Sequence, residues 1–229
     1  LVGSEMCIRD RGKKQSHEKI LQKFEKDKID ILIGTQMVAK GLDFENVTLV
    51  GVITADTMLN INDYRSGERT FAMLEQVSGR AGRGSKEGRA VIQTYTPEHE
   101  AVSLVKSHNY RTFYDKEIAK RKLMWYPPFC KIVSVHFQGN VENTVAKTAK
   151  YFLNTAEKTQ NVSQKIQVLG PVPSYISKIK NKYRWQIIFK CEDDDNLGEI
   201  LSQAEMTCRK NKGFSDVTII IDKSPGMIN

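Results

Sequence analysis

The sequence has 229 residues, enough for one large domain or two of ordinary size, and we expect two. Hydrophobic residues make up 40% and charged residues 27%, a composition that excludes a largely disordered chain. The formal net charge of +8 favours polyanionic partners such as nucleic acid, although a solvated lysine-rich surface would give the same value. No apolar run reaches the ~18 residues of a membrane-spanning helix, so we expect a soluble protein with no membrane partner.

The cysteines and the first residues of the chain indicate a cytoplasmic protein. Cys7, Cys130, Cys191 and Cys208 are far apart and lack a metal-ligand spacing, which predicts reduced, mostly buried thiols and no metal site. Residues 1–12 contain no apolar region of a signal peptide. We interpret this segment as non-native, derived from an adaptor, and leave it out of the predicted fold.

Helix and strand patterns alternate through the first half of the chain. The predicted elements are a helix at 15–27, strands at 31–33 and 47–54, a helix at 66–77 and a strand at 90–95. The strands are continuous apolar runs, which are typical of a sheet covered on both faces. This alternation predicts an α/β layer sandwich.

A long helix is predicted from Pro97 to Leu123, because acidic residues lie in its first turn and basic residues in its last. Prolines 127 and 128 stop it, so we place the domain boundary at residue 126 and predict domains at 13–125 and 126–229. The second domain has strands at 131–137, 166–169, 185–190 and 217–221 and helices at 141–158 and 197–210. The order β-α-β-β-α-β favours a ferredoxin-like fold.

The sharpest motif is the octet from Gln76 to Arg83, which fits the pattern Q-x-x-G-R-x-x-R. Arg80 and Arg83 are three residues apart and would share one side of a helical turn. Gly79 allows a phosphate to approach closely, and guanidinium groups bind phosphate oxygens bidentately. This chemistry suits the γ-phosphate of a nucleotide, although the arginines could instead cap a helix end or pair with surface carboxylates.

The segment from Gly34 to Phe44 follows a predicted strand and would form a loop at the carboxyl edge of the sheet, where ligands bind in open α/β folds. Thr35 offers a hydroxyl and a backbone N–H to a nucleic-acid phosphate. Asp43 offers a carboxylate to ribose hydroxyls or to an arginine. The alternative for Asp43 is a helix or turn cap, and for Lys40 a solvated charge.

These two segments, in this order, resemble motifs V and VI of superfamily 2 helicases. The sequences of residues 47–56 (VTLVGVITAD) and 63–71 (DYRSGERTF) resemble the primosomal protein N′ family in particular. The resemblance extends from about residue 13 to residue 229. It implies a partial RecA-like helicase lobe, with a parallel sheet and flanking helices, followed by a small α+β ferredoxin-like domain. It also implies an ATP-dependent 3′-to-5′ DNA helicase that restarts stalled replication forks.

The resemblance implies roles for single residues as well. Arg83 would be the arginine finger, and Arg80 would also face the nucleotide phosphates. The other expected nucleotide-site residues are Gln76, Gly79, Gly41 and Asp43. The residues expected nearer the DNA backbone are Thr35 and Gln36.

The sequence also departs from this family. It contains no G-x-x-x-x-G-K-[ST] phosphate loop and no D-E-x-H box, which belong to the first lobe of such helicases and hold ATP with Mg²⁺. The opening strand of the second lobe and the family's zinc-binding cysteines are absent too and are expected upstream. We therefore predict that this polypeptide alone does not hydrolyse ATP. The adjacent carboxylates Asp193–Asp195 are more typical of a helix N-terminus than of a metal cluster.

Basic and aromatic side chains interleave between Lys178 and Trp185. Lys180, Lys182 and Arg184 could contact phosphates while the aromatic rings stack on bases. The alternative is an edge strand whose rings pack on the core and whose lysines protect the edge. The resemblance implies single-stranded and forked DNA, single-stranded-DNA-binding protein with its acidic tail, and primosome proteins as partners.

Two other functions stay open. The chain could be a non-catalytic module that binds DNA or protein, or part of another superfamily 2 translocase. A ferredoxin-like C-terminal domain would be unexpected in such a translocase, and an ATPase assay separates an enzyme from a binding module.

Overall fold

The division of the chain into packing units is seen in a computed structural model. The structure describes residues 5–7, 24, 29–34, 47–79, 81, 87–159, 165–192, 194–223 and 225–226. The described residues up to 60, together with 66–110, form a first unit, and residues 61–65 together with those from 111 onwards form a second. This division differs from the expected domain boundary at residue 126, because the helix before the prolines belongs mostly to the second unit.

The first unit contains parallel strand pairs and helices. Its elements are strands β1 (Glu5–Cys7), β2 (Ile31–Ile33) and β3 (Leu49–Val52), helices α1 (Asp56–Leu59) and α2 (Ser66–Ser78), strand β4 (Arg89–Ile92), helix α3 (Glu100–Ser103) and a 3₁₀ turn (Val105–Ser107). β1 pairs with β2 and β3 pairs with β4, both in parallel. This confirms the predicted α/β class. Strand β1 lies in the segment that the sequence analysis left out of the fold.

Helix α2 forms where its pattern predicts it. Glu68 lies in the first turn, where a negative charge complements the helix dipole, and Thr70, Phe71 and Leu74 are buried at helical spacing. Of the predicted helix at 15–27, Phe24 alone is described, and it is helical and half-buried.

The single helix predicted from Pro97 to Leu123 is wrong. The chain forms α3, the 3₁₀ turn and then a separate helix, α4 (Tyr110–Leu123). His108 adopts the left-handed conformation at φ 49°, with its N–H donating to Val105 O and the N–H of Asn109 donating to Leu104 O. This pair of bonds is a Schellman motif, which ends a helical segment. Glycine usually occupies that position, so the histidine found there did not indicate from the sequence that the helix ends.

The second unit contains the predicted β-α-β-β-α-β domain. Its elements after α4 are strand β5 (Lys131–Gly139), helix α5 (Glu142–Thr159), strands β6 (Ile166–Ile179) and β7 (Lys182–Cys191), helix α6 (Asp194–Lys210), a 3₁₀ turn (Lys212–Phe214) and strand β8 (Thr218–Asp222). All neighbours in the sheet are antiparallel, in the order β6-β7-β5-β8. Each helix joins two parallel strands that are separated by another strand, which is the split arrangement of a ferredoxin-like fold.

The core of this unit lies between one face of the sheet and the two helices. Val133, Val135 and Phe137 alternate along β5 and are fully buried, as period-two spacing requires. The ring of Phe152 on α5 meets Phe137 edge-on at a centroid distance of 5.3 Å. α6 begins at Asp194, so Asp194 and Asp195 of the acidic run lie at its N-terminal end, as predicted.

The β6–β7 hairpin is longer than the sequence predicted. The expected strand at 166–169 continues to Ile179, past Pro171 and Pro173. Proline donates no backbone hydrogen bond and so argues against a central strand. Here β6 lies at the edge of the sheet, and the pairing shifts between Leu169 and Val172 and between Pro173 and Lys178, so the edge tolerates both prolines.

Candidate nucleotide and nucleic-acid sites

Helix α2 presents the first half of the octet. Gln76 is exposed near its C-terminal end, and Gly79 lies just beyond, also exposed, with its N–H donating to Glu75 O at 3.1 Å. Six other predicted site residues lie outside the described residues: Thr35, Gln36, Gly41, Asp43, Arg80 and Arg83. Their roles stay predictions.

A contact next to Gln76 fixes the end of α2. The Glu75 carboxylate lies 2.8 Å from Nδ1 of His108, the left-handed residue after the 3₁₀ turn. The other oxygen of Glu75, Oε1, is buried without a hydrogen-bond partner among the described residues. This pair could not be predicted from the sequence, because the two residues are far apart in the chain and the histidine lacks a recognisable pattern.

A buried carboxylate joins the carboxyl ends of β3 and β4. Asp56 accepts hydrogen bonds from the hydroxyls of Thr94 and Thr96 at 2.9 and 3.0 Å and from the backbone N–H of Tyr95. Desolvation by burial raises the pKa of Asp56, but these hydrogen bonds outweigh it, so the pKa lies below its ordinary value. Sequence analysis missed this residue, which ties together the edge of the sheet where ligands bind in α/β folds.

The basic residues of the hairpin are accessible. Lys180 and Asn181 form its turn at φ 49° and 62°, and both Lys180 and Lys182 are exposed. Two positive φ angles in a two-residue turn are typical of type I′, which favours asparagine and glycine, so a lysine there carries a backbone cost. Arg184 is half-buried on the same face of β7 as Lys182.

The aromatic side chains of β7 point the other way. Tyr183 and Trp185 are half-buried and pack against the core. The alternative that the sequence left open is therefore right that these rings pack on the core, but β7 lies between β6 and β5 and is not an edge strand. Lys178 on β6 lies over the Tyr183 ring, with its Nζ 4.5 Å from the ring centroid. Tyr175 on β6 is instead 67% exposed on the same hairpin.

His136, for which no role was predicted from the sequence, lies near Arg184. It pairs with Gln186 across the sheet, and its Nε2 lies 3.0 Å from the Ser134 hydroxyl. Burial and the charge of Arg184 lower the pKa of His136, while Asp222 partly offsets them. The imidazole is therefore held neutral near the basic hairpin.

Two further findings concern the whole described chain. Among the residues with described side chains, no group of three His, Cys, Asp or Glu is placed to hold a metal ion. No helix in the described part is long and apolar enough to cross a membrane.

Comparison with known proteins gives matches over both units. The helicase conserved C-terminal domain matches residues 6–85, and the primosomal protein N C-terminal domain matches residues 122–225. The matches define the chain as a protein with a helicase conserved C-terminal domain followed by a primosomal protein N C-terminal domain. The chain belongs to the primosomal protein N′ family.

Similar curated proteins carry the name replication restart protein PriA. That of Bacillus subtilis is 43% identical over 228 residues, covering 97% of this chain and 28% of the relative. That of Synechocystis is 44% identical, covering 78% and 21%, and that of Borreliella burgdorferi is 38% identical, covering 90% and 30%. The chain therefore spans less than a third of the length of these relatives.

Proposed function

We propose that the chain is the motor-lobe and C-terminal portion of an ATP-dependent 3′-to-5′ DNA helicase that restarts stalled replication forks in the cytoplasm. The observation that carries the proposal is the helicase C-terminal match over residues 6–85, because it includes both motif segments and the exposed end of α2. The name replication restart protein, shared by the relatives, supports the process.

In this proposal, residues of two helicase lobes together form the nucleotide site. ATP with Mg²⁺ is held mainly by the first lobe, and zinc by a segment upstream of this chain. Arg83 and Arg80 approach the nucleotide phosphates, where cationic side chains stabilise the charge of the transferring phosphoryl group. Gln76, Gly79, Gly41 and Asp43 line the nucleotide cleft, while Thr35 and Gln36 contact the DNA backbone. The exposure of Gln76 supports this placement.

ATPase assays test the proposal. The 229-residue chain should give no DNA-stimulated turnover, because it lacks a phosphate loop and a Mg²⁺-binding box. The intact protein should hydrolyse ATP, and Arg83→Ala should lower its kcat by roughly three to five decades. Arg89→Ala on strand β4 removes another arginine of the same unit and should leave kcat unchanged. Turnover by the 229-residue chain, or a normal kcat for Arg83→Ala, would reject these roles.

The basic hairpin is the second part of the proposal. Lys180, Lys182 and Arg184 contact phosphates of single-stranded or forked DNA. Both lysines are exposed, and Lys180 at the tip adopts a left-handed backbone that is unfavourable for a lysine. A residue kept in an unfavourable backbone conformation supports a functional role for its side chain. The acidic tail of single-stranded-DNA-binding protein would compete for the same cations, and primosome proteins are further proposed partners of the intact protein.

A further inference from the structure

Residues 61–65 pack in the second unit, although the residues directly before and after them in the chain belong to the first unit. They join α1 to α2, both of which lie in the first unit, but they pack within the second unit. The chain therefore leaves the first unit after Asn60 and returns to it at Ser66, the first residue of α2. We call residues 61–65 the strap.

A stack of rings and cations holds the strap. The ring of Tyr64 lies parallel to that of Tyr126, with centroids 4.9 Å apart and planes 9° apart. The guanidinium of Arg121 lies 4.9 Å from the Tyr64 centroid, and Lys190 Nζ lies 3.6 Å from the Tyr126 centroid. Cations near aromatic faces are attracted by the ring quadrupole, most strongly where water is excluded.

The stack is partly shielded from solvent, and its cation Lys190 is held in place by a backbone hydrogen bond. Lys190 is buried, and its Nζ donates to Met124 O at 3.0 Å. Burial lowers the pKa of Lys190, which the Cys130 thiol partly offsets. Burial, followed by the charges of Cys130 and Asp63, raises the pKa of Tyr126. The contact between Lys190 and Tyr126 is therefore largely removed from water. Each of these two residues also contacts a further neighbour, Met124 O for Lys190 and Tyr64 for Tyr126.

A second anchor lies at Arg65. Its side chain donates to both oxygens of the buried Asp63 carboxylate at 3.0 Å, and Nη2 also donates to the backbone oxygens of Pro225 and Gly226. The Arg65 guanidinium also lies 4.9 Å from the Tyr64 centroid. A loop held only by its ends would not bury a carboxylate and join main-chain carbonyls 160 residues away along the sequence.

We infer that the strap is a coupling device, in which Tyr64 and Arg65 act as positioning residues that set the N-terminal end of α2. Helix α2 runs unbroken from Ser66 to Ser78, so a constraint at its start is carried to Gln76 and Gly79 at its end. Changes in the second unit reach the octet through this segment. Its meaning for nucleotide hydrolysis rests on the proposed function, but the coupling itself does not.

Hydrogen–deuterium exchange of the 229-residue chain tests the coupling without DNA or ATP. Tyr126→Ala alters the second unit and removes the ring under Tyr64. Exchange of the α2 amides should become about tenfold faster, because the ring stack and its cations no longer restrain the strap. Tyr126→Phe keeps the ring and should restore slow exchange.

Tyr151→Ala is the matched control. Tyr151 lies on α5 in the same unit and packs at 5.3 Å against another ring, that of Phe214, away from the strap. It should leave exchange in α2 unchanged. If Tyr126→Ala does not fold, Arg121→Gln removes one cation of the stack and should show the same, smaller effect. Unchanged exchange in α2 beside a loosened strap, or equal acceleration by Tyr151→Ala, overturns the inference and leaves the helicase proposal standing.

Discussion

At the scale of single residues, Cys208 gives the second unit a weakness at alkaline pH. The residue is 1% exposed on α6, and burial together with Glu205 raises the pKa of its thiol from 9.0 to about 11. Between these values the unfolded thiol is ionised while the folded thiol keeps its proton. The free energy of unfolding should therefore fall as pH rises from 9 towards 11, by up to about 2 to 3 kcal/mol.

Urea unfolding followed by circular dichroism across this pH range measures the decline. Cys208→Ala should be less stable at pH 8, because it leaves a small cavity, but its stability should change less above pH 9. Burial also raises the pKa of Cys130, so some decline should remain. An unaltered alkaline slope in Cys208→Ala would show that the thiol contributes nothing.

At the scale of elements, the basic hairpin should set the salt dependence of DNA binding. Reversing Lys180, Lys182 and Arg184 to Glu should weaken binding of a dT oligonucleotide. For a single strand, the slope of log K against log salt should become shallower by about 0.7 for each phosphate that the variant no longer neutralises, or about 2 in all. Fluorescence anisotropy at several salt concentrations measures it.

The matched control reverses Lys147, Lys150 and Lys158, which are exposed on α5 of the same unit. Net charge changes equally in both triple variants, so only a local contact separates them. Equal slopes for the two variants would show that the hairpin attracts DNA merely through the overall charge of the chain.

Elements with a clear period were predictable, and those decided by distant contacts were not. Helix α2 and strand β5 follow from the spacing of their apolar residues, which neighbours along the chain determine. The left-handed His108 at the break contacts a carboxylate on α2, and the extension of β6 past Pro173 depends on its place at the sheet edge. Similarly, the octet could be identified from its sequence motif alone. The hydrogen bonds of Asp56 could not be predicted, because they form only when the ends of β3 and β4 lie side by side.

At the scale of the whole molecule, the described residues of the two units differ in how they bury their apolar side chains. The buried apolar residues described in the first unit are Ala55, Phe71, Leu74, Ala101, Val102 and Val105. Strand β3 leaves Leu49 exposed, and Ile53 just after it is 67% exposed. The second unit instead buries a continuous cluster between its sheet and two helices. Apolar side chains that stay in water do not stabilise the fold, so these exposed positions on its described strands lead us to predict that the first unit is the weaker one.

Both tryptophans, Trp125 and Trp185, lie in the second unit, so their fluorescence reports that unit alone, whereas far-UV circular dichroism reports helices of both. Urea unfolding should give a lower midpoint by circular dichroism than by fluorescence, because we expect the first unit to unfold before the second. Superimposable curves would mean that the units unfold as one. Since the strap is a segment of the second unit that leads directly into α2, Tyr126→Ala should widen the gap between the midpoints by releasing the weaker unit from the stronger.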